Sequence, residues 1–291
     1  MKEKFDIAYI TTFINTDYIY KLIDSIIINN KTIKTMLIVV NQTKQFLNLE
    51  KYSNSNNVIV ELQTEKQSLS KARNVGIECL IEHEFDVRYV SFPDDDSSFD
   101  VNFFEKFNNI IIDNNNYLID VYGERTNNLY LKNNLEEGVL VINNCERIAM
   151  SVNMIINFNT IKKILFFDEK MGIGAFYGAG EDTDYFLRCV AVSGAFIYTK
   201  QLWNYHPQYE KKHNEMPLEN LLKKYRNYGR GVIYMNYKHN LYTNAVKLCF
   251  SALGGSFVAL LHLDFKLMIA RLYAFYVRSF TFIGLLTGIL K

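Results

Sequence analysis

The 291-residue sequence contains only three prolines and four cysteines, and it has almost no net charge. The cysteines (Cys79, Cys145, Cys189 and Cys249) include no close pair of the kind that binds a metal. The first residues lack the apolar run of a secretory signal. We therefore expect reduced thiols and a cytosolic active site. With 49% hydrophobic and 22% charged residues, the composition excludes a disordered or low-complexity chain.

The formal net charge of +1 is the sum of two oppositely charged parts. Residues 211–291 carry 12 basic and 3 acidic side chains, a net charge of +9, whereas residues 1–210 carry −8. Such asymmetry is typical of a chain whose basic end meets an anionic partner, either a membrane or a nucleic acid. Because no nucleic-acid recognition motif is present, we predict an anionic membrane surface and no nucleic acid.

Short apolar runs alternate with helical patterns in the first hundred residues. The spacing predicts helices over 17–29 and from just after Ser70 to about 84, and buried strands over 7–10, 36–40, 58–62 and 87–92. This alternation indicates an α/β fold with a mostly parallel sheet covered by helices on both faces. Ligands of such sheets bind beyond the carboxyl ends of the strands, so Thr11, Asn41 and Asp94 to Asp96 are the first candidates for a site. Residues 195–198 predict a further strand, followed by a loop.

The C-terminal part has a different character. A basic, tyrosine-rich segment over 217–240 precedes two uncharged apolar stretches, Leu248–Leu261 and Ser279–Leu290. Each has about 12–14 residues, short of the roughly 20 that span a bilayer, so we expect helices lying in a membrane interface. The alternative is an ordinary helical subdomain that packs on the sheet. We predict a catalytic domain over 1–215 and this helical region over 216–291.

The strongest chemical signal is the run Asp94-Asp95-Asp96 at the end of a predicted strand. Adjacent carboxylates repel one another, and a hard cation such as Mg²⁺ or Mn²⁺ relieves the repulsion. The alternative is an acidic, solvated loop that caps the next helix. His206 is a candidate third metal ligand or phosphate contact, although a lone histidine is more often neither.

Two further segments carry candidate chemistry. Ser70 is predicted to cap a helix whose N-terminus favours an anion. Arg73 adds a planar guanidinium group, which suits a diphosphate. A glycine-rich loop over 172–180 leads into Glu181 and Asp182, where a carboxylate could accept a proton from an attacking hydroxyl. The alternative for these two acids is that they complement the helix dipole.

In this order and spacing, the motifs resemble the family 2 glycosyltransferases, over roughly residues 5–210. The resemblance extends to bacterial members that build capsule, O-antigen or teichoic-type polysaccharides. It implies a GT-A fold and inverting transfer from a nucleotide sugar. The residues that it places at the nucleotide sugar are Thr11, Phe13, Asn41, Arg73, Asn74, Asp94 and Asp95. The family usually has an acidic residue where this chain has Asn41, which leaves the donor base open.

The resemblance also assigns the reacting groups. It makes Asp94 to Asp96 a DxD-type motif, with Asp94 and Asp95 near the ribose and Asp96 on the metal. Asp94 and His206 are the further candidate metal ligands. It makes Asp182 the general base, with Glu181 helping to bind the acceptor. The implied cofactor is Mg²⁺ or Mn²⁺, the favoured donor is a UDP-sugar, and the acceptor is lipid-linked or an oligosaccharide.

The sequence thus predicts a metal-dependent inverting glycosyltransferase, cytoplasmic and peripheral on the inner face of the cell membrane. One alternative is a sugar nucleotidyltransferase, but the loop over 11–16 has neither the glycines nor the basic residues that would hold a triphosphate. The other is a non-catalytic partner subunit at the membrane surface, which would have no need for both carboxylate sets.

Overall fold

A computed structural model describes residues 3–52, 57–130, 135–140, 148–208 and 215–290. The chain forms two compact units, one of residues 1–167 and 185–208 and the other of residues 168–184 and 209–291. Residues 168–184 thus group with the C-terminal helices, although the predicted boundary at 215 places them in the catalytic domain. The boundary itself stays a prediction. Cys79, Cys189 and Cys249 are free and buried, and Cys145 lies outside the described residues.

The first unit is built on an eight-stranded sheet in the order β3-β2-β1-β4-β7-β5-β8-β6. Its strands are β1 Lys4–Phe13, β2 Thr35–Asn41, β3 Val58–Gln63, β4 Asp86–Ser91, β5 Asn116–Gly123, β6 Gly138–Leu140, β7 Met154–Asn157 and β8 Phe196–His206. The pairs β1–β2, β2–β3, β1–β4 and β5–β8 are parallel. The pairs of β7 with β4 and β5, and of β6 with β8, are antiparallel.

Helices accompany this sheet in the described part of the chain. They are α1 Thr16–Ile27, α2 Leu69–Glu82, α3 Val101–Ile110, α4 Phe158–Ile164 and α5 Glu181–Ser193, whose first turn belongs to the second unit. α1 buries Ile19, Leu22, Ile23 and Ile26, a spacing of three and four residues that presents one apolar face to the sheet. Every residue of β2 is buried. The α/β fold expected from the sequence is confirmed.

Two local predictions are wrong. α2 begins at Leu69 with Ser68 as its cap residue, so Ser70 lies inside the helix, fully buried, and does not cap it. β8 runs without interruption from Phe196 to His206, although only residues 195–198 are predicted as a strand. Exposed Lys200 and Gln201 interrupt the apolar pattern there, and the register shift between Ile119 and Asp120 on β5 absorbs the irregularity.

The second unit contains three long helices, α6 Leu218–Lys238, α7 Tyr242–Leu261 and α8 Phe265–Leu286. α8 packs against both α6 and α7. The predicted stretch Leu248–Leu261 lies within α7, whereas Ser279–Leu290 begins in α8 and ends four residues beyond it. The two helices have 20 and 22 residues, because isolated charges such as Lys247 and Arg271 do not interrupt a helix. By length and composition alone, α7 and α8 could each cross a membrane.

Candidate functional site

Two carboxylates and an imidazole converge at the carboxyl ends of β4 and β8. One ligand atom from each of Asp94, Asp96 and His206 lies within 4.8 Å of the others. His206 ends β8, and the acidic run follows β4 directly. Paired backbone hydrogen bonds between Ser98 and Tyr205, of 3.0 and 2.8 Å, fasten the acidic loop to the end of β8.

The orientation of His206 suits a metal ligand. Its Nε2 lies 3.4 Å from both Asp94 Oδ2 and Asp96 Oδ1. Its Nδ1 lies 3.0 Å from the carbonyl oxygen of Pro207, an acceptor, so Nδ1 carries the proton. A second hydrogen bond of this kind fixes the tautomer and ring direction of metal-binding histidines.

The carboxylates of the cluster differ in their electrostatics. Burial opposes ionisation of Asp94, but hydrogen bonds and charges from His206 and Arg73 hold its pKa below the usual value. Burial, together with the charges of Asp96 and Asp94, raises the pKa of Asp95 to about 7. Although burial works against it, the pKa of His206 is raised by Asp94 and Asp96. The neighbouring carboxylates therefore raise the pKa values of Asp95 and His206, and Arg73 and His206 stabilise the ionised form of Asp94.

This donor set fits a hard divalent cation. Two carboxylates and one imidazole supply the oxygen and nitrogen ligands that Mn²⁺ and Mg²⁺ accept. A cation held there would leave coordination positions for phosphate oxygens. Asp95, which follows Asp94 in the same turn, is not part of the three-residue group.

Arg73 and Asn74, on α2, are both buried. Arg73, only 2% exposed, donates from Nη2 to Asp94 Oδ1 at 3.0 Å and to Ser151 Oγ at 2.7 Å. Asn74 binds the backbone of Phe167 twice, donating to its carbonyl at 3.0 Å and accepting from its amide at 2.8 Å. Arg73 therefore holds a carboxylate of the cluster, and Asn74 fixes the chain where the first unit meets residue 168.

Thr11 and Phe13, predicted at the nucleobase, lie in the last part of β1, and Asn41 is the last residue of β2, because both strands run further than the sequence predicts. Thr11 is buried, and its hydroxyl has no hydrogen-bond partner among the described residues. Phe13 belongs to the hydrophobic core of the first unit. The Asn41 amide donates to Gln45 O at 2.7 Å and to Glu61 Oε1 at 2.6 Å. The amide thus closes the loop after β2, and the roles of all three residues at a base stay predictions.

Sequence reasoning missed Glu61. This carboxylate on β3 accepts hydrogen bonds from the Asn41 side chain and from the backbone amide of Leu47. It brings a negative charge beside the strand end where the resemblance expects an acidic residue. The signal was available, because Glu61 interrupts the apolar run Val58–Leu62.

Glu181 and Asp182 lie in the second unit, in the first turn of α5. The preceding loop turns at Gly172, Gly174 and Gly180, which have φ values of +92°, +89° and +89°. Glu181 is buried and Asp182 is partly exposed. Burial raises the pKa of Tyr228 on α6, and the charges of Glu181 and Asp182 add to that rise. The loop thus presents an accessible carboxylate at a helix start.

The other end of the same loop carries Asp168. Although burial works against ionisation, the hydrogen bond and charge of Lys238 hold the pKa of Asp168 below its usual value. Lys238 Nζ lies 2.8 Å from Asp168 Oδ2 and 2.9 Å from Asp184 Oδ1. Sequence reasoning did not single out either Lys238 or Asp184.

The chain matches no protein-family model and no curated protein sequence. Among solved structures, it is similar to S. aureus TarS residues 1–349 in complex with UDP-GlcNAc, at 15% identity and a TM-score of 0.58, covering 97% of this chain and 92% of that one. It is also similar to a mannosyltransferase from Pyrobaculum calidifontis in complex with GDP-Man and Mn²⁺, at 10% identity and a TM-score of 0.59, covering 97% and 88%.

A longer TarS structure matches at 17% identity and a TM-score of 0.56, covering 76% of this chain but only 38% of that one. At these identities the similarity establishes the fold. The fold of this chain is similar to those of TarS and of this mannosyltransferase.

Proposed function

We propose that this protein is a metal-dependent inverting glycosyltransferase that moves a hexose from a nucleoside-diphosphate sugar to a hydroxyl of a glycan acceptor. The observation that carries the proposal is the group Asp94, Asp96 and His206 at the strand ends of this fold. The structural neighbours support it, since their titles name UDP-GlcNAc in one case and GDP-Man with Mn²⁺ in the other.

The donor would bind through its diphosphate and its nucleoside. A divalent cation on Asp94, Asp96 and His206 would neutralise the diphosphate as negative charge develops on the leaving group. We favour a UDP-sugar as the donor, with Thr11, Phe13 and Asn41 near its base. This preference is supported by the TarS complexes with UDP-GlcNAc and with UDP.

Asp182 would act as the general base. Its carboxylate accepts the proton of the acceptor hydroxyl, whose oxygen attacks the anomeric carbon from the face opposite the diphosphate. The new glycosidic C–O bond forms as the bond to the phosphate oxygen breaks, so the nucleoside diphosphate leaves with the bonding electrons. One displacement inverts the anomeric configuration, and Glu181 would help to hold the acceptor.

The test is turnover of UDP-GlcNAc and GDP-mannose with Mn²⁺, with Mg²⁺ and with a chelator. We expect one donor to turn over, the chelator to stop turnover and either metal to restore it. Asp182→Asn should abolish transfer while nucleotide-sugar binding stays within about twofold. Near-normal transfer by this variant would overturn the base assignment, and turnover insensitive to chelator would overturn metal dependence.

We further propose that transfer takes place at the cytoplasmic face of the membrane, on a lipid-linked acceptor of a bacterial surface polysaccharide. The support comes from α7 and α8, which bury small residues and expose large ones. Their buried residues include Ala245, Cys249, Ala252, Gly255, Ala259, Ala270, Ala274 and Gly284. Their outward apolar stripes are Val246, Phe250, Phe257 and Leu261 on α7, and Phe265, Ile269, Leu272, Tyr276, Phe280 and Ile283 on α8.

The residues of the α8 stripe are three or four positions apart and those of the α7 stripe four or seven apart, that is, about one or two helical turns, so each stripe follows one side of its helix. Charged α6 packs along α8, where Val277 lies against Gly229 of α6. Lipid therefore cannot surround the α7–α8 pair on all sides, which favours helices lying in the interface. The basic residues of this region would add attraction to anionic lipid of about 1 kcal/mol each.

Flotation with vesicles that contain anionic phosphatidylglycerol tests whether the apolar stripes of α7 and α8 bind a membrane. Phe257→Ser with Ile269→Ser should weaken binding at least about tenfold, because each side chain loses about 2 kcal/mol of apolar burial. Phe46→Ser, which alters an exposed phenylalanine of the first unit, is the matched control. Equal flotation of the double variant and this control would contradict the surface.

A further inference from the structure

The segment 168–184, which ends in the first turn of α5, is tied at both ends to the last turns of α6. Lys238 Nζ contacts Asp168 Oδ2 at one end of the segment, at 2.8 Å, and Asp184 Oδ1 at the other, at 2.9 Å. His239 Nε2 lies 2.9 Å from Asp184 Oδ1, so this nitrogen donates to the carboxylate. The Tyr234 hydroxyl donates to Asp168 Oδ2 at 3.2 Å. We call these five residues the closing network.

The ammonium group of the closing network comes from α6. Asp184 is fully buried, and a buried carboxylate is costly unless it is paired and hydrogen-bonded. Among the described residues, Lys238 is the one cation within 4 Å of both Asp168 and Asp184. A single ammonium group thus joins the two ends of a loop that turns at three glycines with positive φ.

Packing along α6 supports the same arrangement. The rings of Tyr177 and Tyr234 stack with centroids 3.9 Å apart. Gly231 approaches the backbone of Ala179 so closely that a Cβ there would lie 2.2 Å from its carbonyl oxygen. The segment therefore follows α6 along its length as well as at its ends.

The network bears on Asp182 through the geometry of α5. Successive side chains turn about 100° around a helix, so Asp182 and Asp184 point about 200° apart, to opposite sides. Asp184 points into the buried network and Asp182 is partly exposed. Fixing Asp184 therefore fixes the rotation of the first helical turn and with it the direction of Asp182.

We propose that Lys238 is a positioning residue, which holds the first turn of α5 in the rotation that presents Asp182 to the acceptor hydroxyl. The inference rests on the proposed function, in which Asp182 is the base. On this inference, α6 of the C-terminal helical region also contributes to the transfer reaction, by positioning the base. Lys238 acts through Asp184 and does not itself contact the reacting atoms.

The experiment compares Lys238→Met, which removes the charge, with Lys238→Arg, which keeps it, and with Lys224→Met, which alters an exposed lysine of the same helix. Amide hydrogen exchange over residues 168–184 is the first readout, and it needs no activity. We expect exchange about tenfold faster or more in Lys238→Met, with Lys238→Arg and Lys224→Met close to the wild type.

The second readout uses whichever of UDP-GlcNAc and GDP-mannose the wild type turns over with Mn²⁺. In Lys238→Met we expect kcat to fall about 10- to 100-fold with the donor KM within about twofold, because a displaced base slows chemistry without weakening donor binding. His239→Gln is the milder variant should Lys238→Met not fold, and it should show smaller changes of the same kind.

Unchanged exchange in the segment would overturn the inference, and so would faster exchange with an unchanged kcat. A uniform loss of protection across α6, α7 and α8 would also overturn it, because that result shows a general structural role. If the wild type turns over neither donor, the proposed function fails, whereas the exchange data still decide whether Lys238 closes the segment.

Discussion

Two groups of carboxylates in this chain are neutralised in opposite ways. In the second unit, Lys238 lies within 2.9 Å of both Asp168 and Asp184, and His239 adds a further donor. In the first unit, three consecutive aspartates share Arg73, at 3.0 Å from Asp94, and His206, at 3.4 Å from Asp94 and from Asp96. Burial, with the charges of Asp96 and Asp94 added to it, raises the pKa of Asp95 to about 7.

The difference separates a structural use of acidic residues from a functional one. Where the chain supplies its own cation at hydrogen-bonding distance, the carboxylates join segments of backbone. Where three aspartates repel one another beside an imidazole with a fixed orientation, we propose that an external cation completes the charge balance.

The largest effect should come from Asp96→Asn. We expect turnover of the nucleotide sugar to fall at least about 100-fold, because the diphosphate loses its cation in the transition state. Steady-state kinetics with Mn²⁺ measures it. Asp86→Asn, which alters an exposed aspartate at the opposite end of β4, should keep wild-type turnover. Equal losses in the two variants would show that the cluster has no special role.

The close approach of α6 to the segment 168–184 predicts the next effect. Gly231→Ala should lower the free energy of unfolding by about 1–3 kcal/mol, because the new Cβ would overlap the backbone of Ala179. Gly254→Ala on α7 meets nothing within 4 Å and should raise stability by up to about 1 kcal/mol through helix propensity. Urea denaturation measures both, and a neutral Gly231→Ala would contradict the packing.

The smallest effect is a difference in how the free energy of unfolding depends on pH between the two groups of carboxylates. The raised pKa of Asp95, due to burial and to Asp96 and Asp94, makes its ionisation between about pH 4 and pH 7 destabilising. Asp95→Asn should therefore gain stability over the wild type as the pH rises from 4 to 7, by about 1–2 kcal/mol after solvent screening.

Asp168 should behave in the opposite way. Burial works against ionisation, but Lys238 lowers the pKa of Asp168, so the stabilisation is present at neutral pH and is lost as the pH falls below about 4. Asp168→Asn should be less stable than the wild type at pH 7 and approach it at low pH. Urea unfolding in the presence of a chelator measures the free energy of unfolding of both variants. If this free energy varied with pH in parallel with the wild type in both, the predicted difference between Asp95 and Asp168 would be refuted.

The sequence was informative wherever the signal was local. The run Met36–Val40 predicts a buried strand because it is apolar throughout. Asp94 to Asp96 are adjacent in the chain, so the sequence alone shows that their carboxylates repel one another. His206 is recognisable as a candidate because it comes after a predicted strand and its loop, immediately before Pro207. Its contact with Asp94 joins residues more than a hundred positions apart, and only the sheet order brings β4 and β8 to a common edge.

Other features depended on contacts that no local pattern encodes. Lys238 pairs with residues 70 and 54 positions earlier, and in the sequence it is one of many lysines in a basic segment. Ser70 has the chemistry of a cap, but the helix begins one residue earlier and buries it. Asn41 looked available for a base, yet its amide binds Gln45 and Glu61.

The most direct test of the central claim is calorimetric titration of Mn²⁺ in the presence of UDP. We predict one Mn²⁺ bound per wild-type chain, binding at least about 100-fold weaker in Asp96→Asn, and wild-type binding in Lys238→Arg. Equal Mn²⁺ affinity in the wild type and in Asp96→Asn would contradict the proposal that Asp94, Asp96 and His206 together bind a cation.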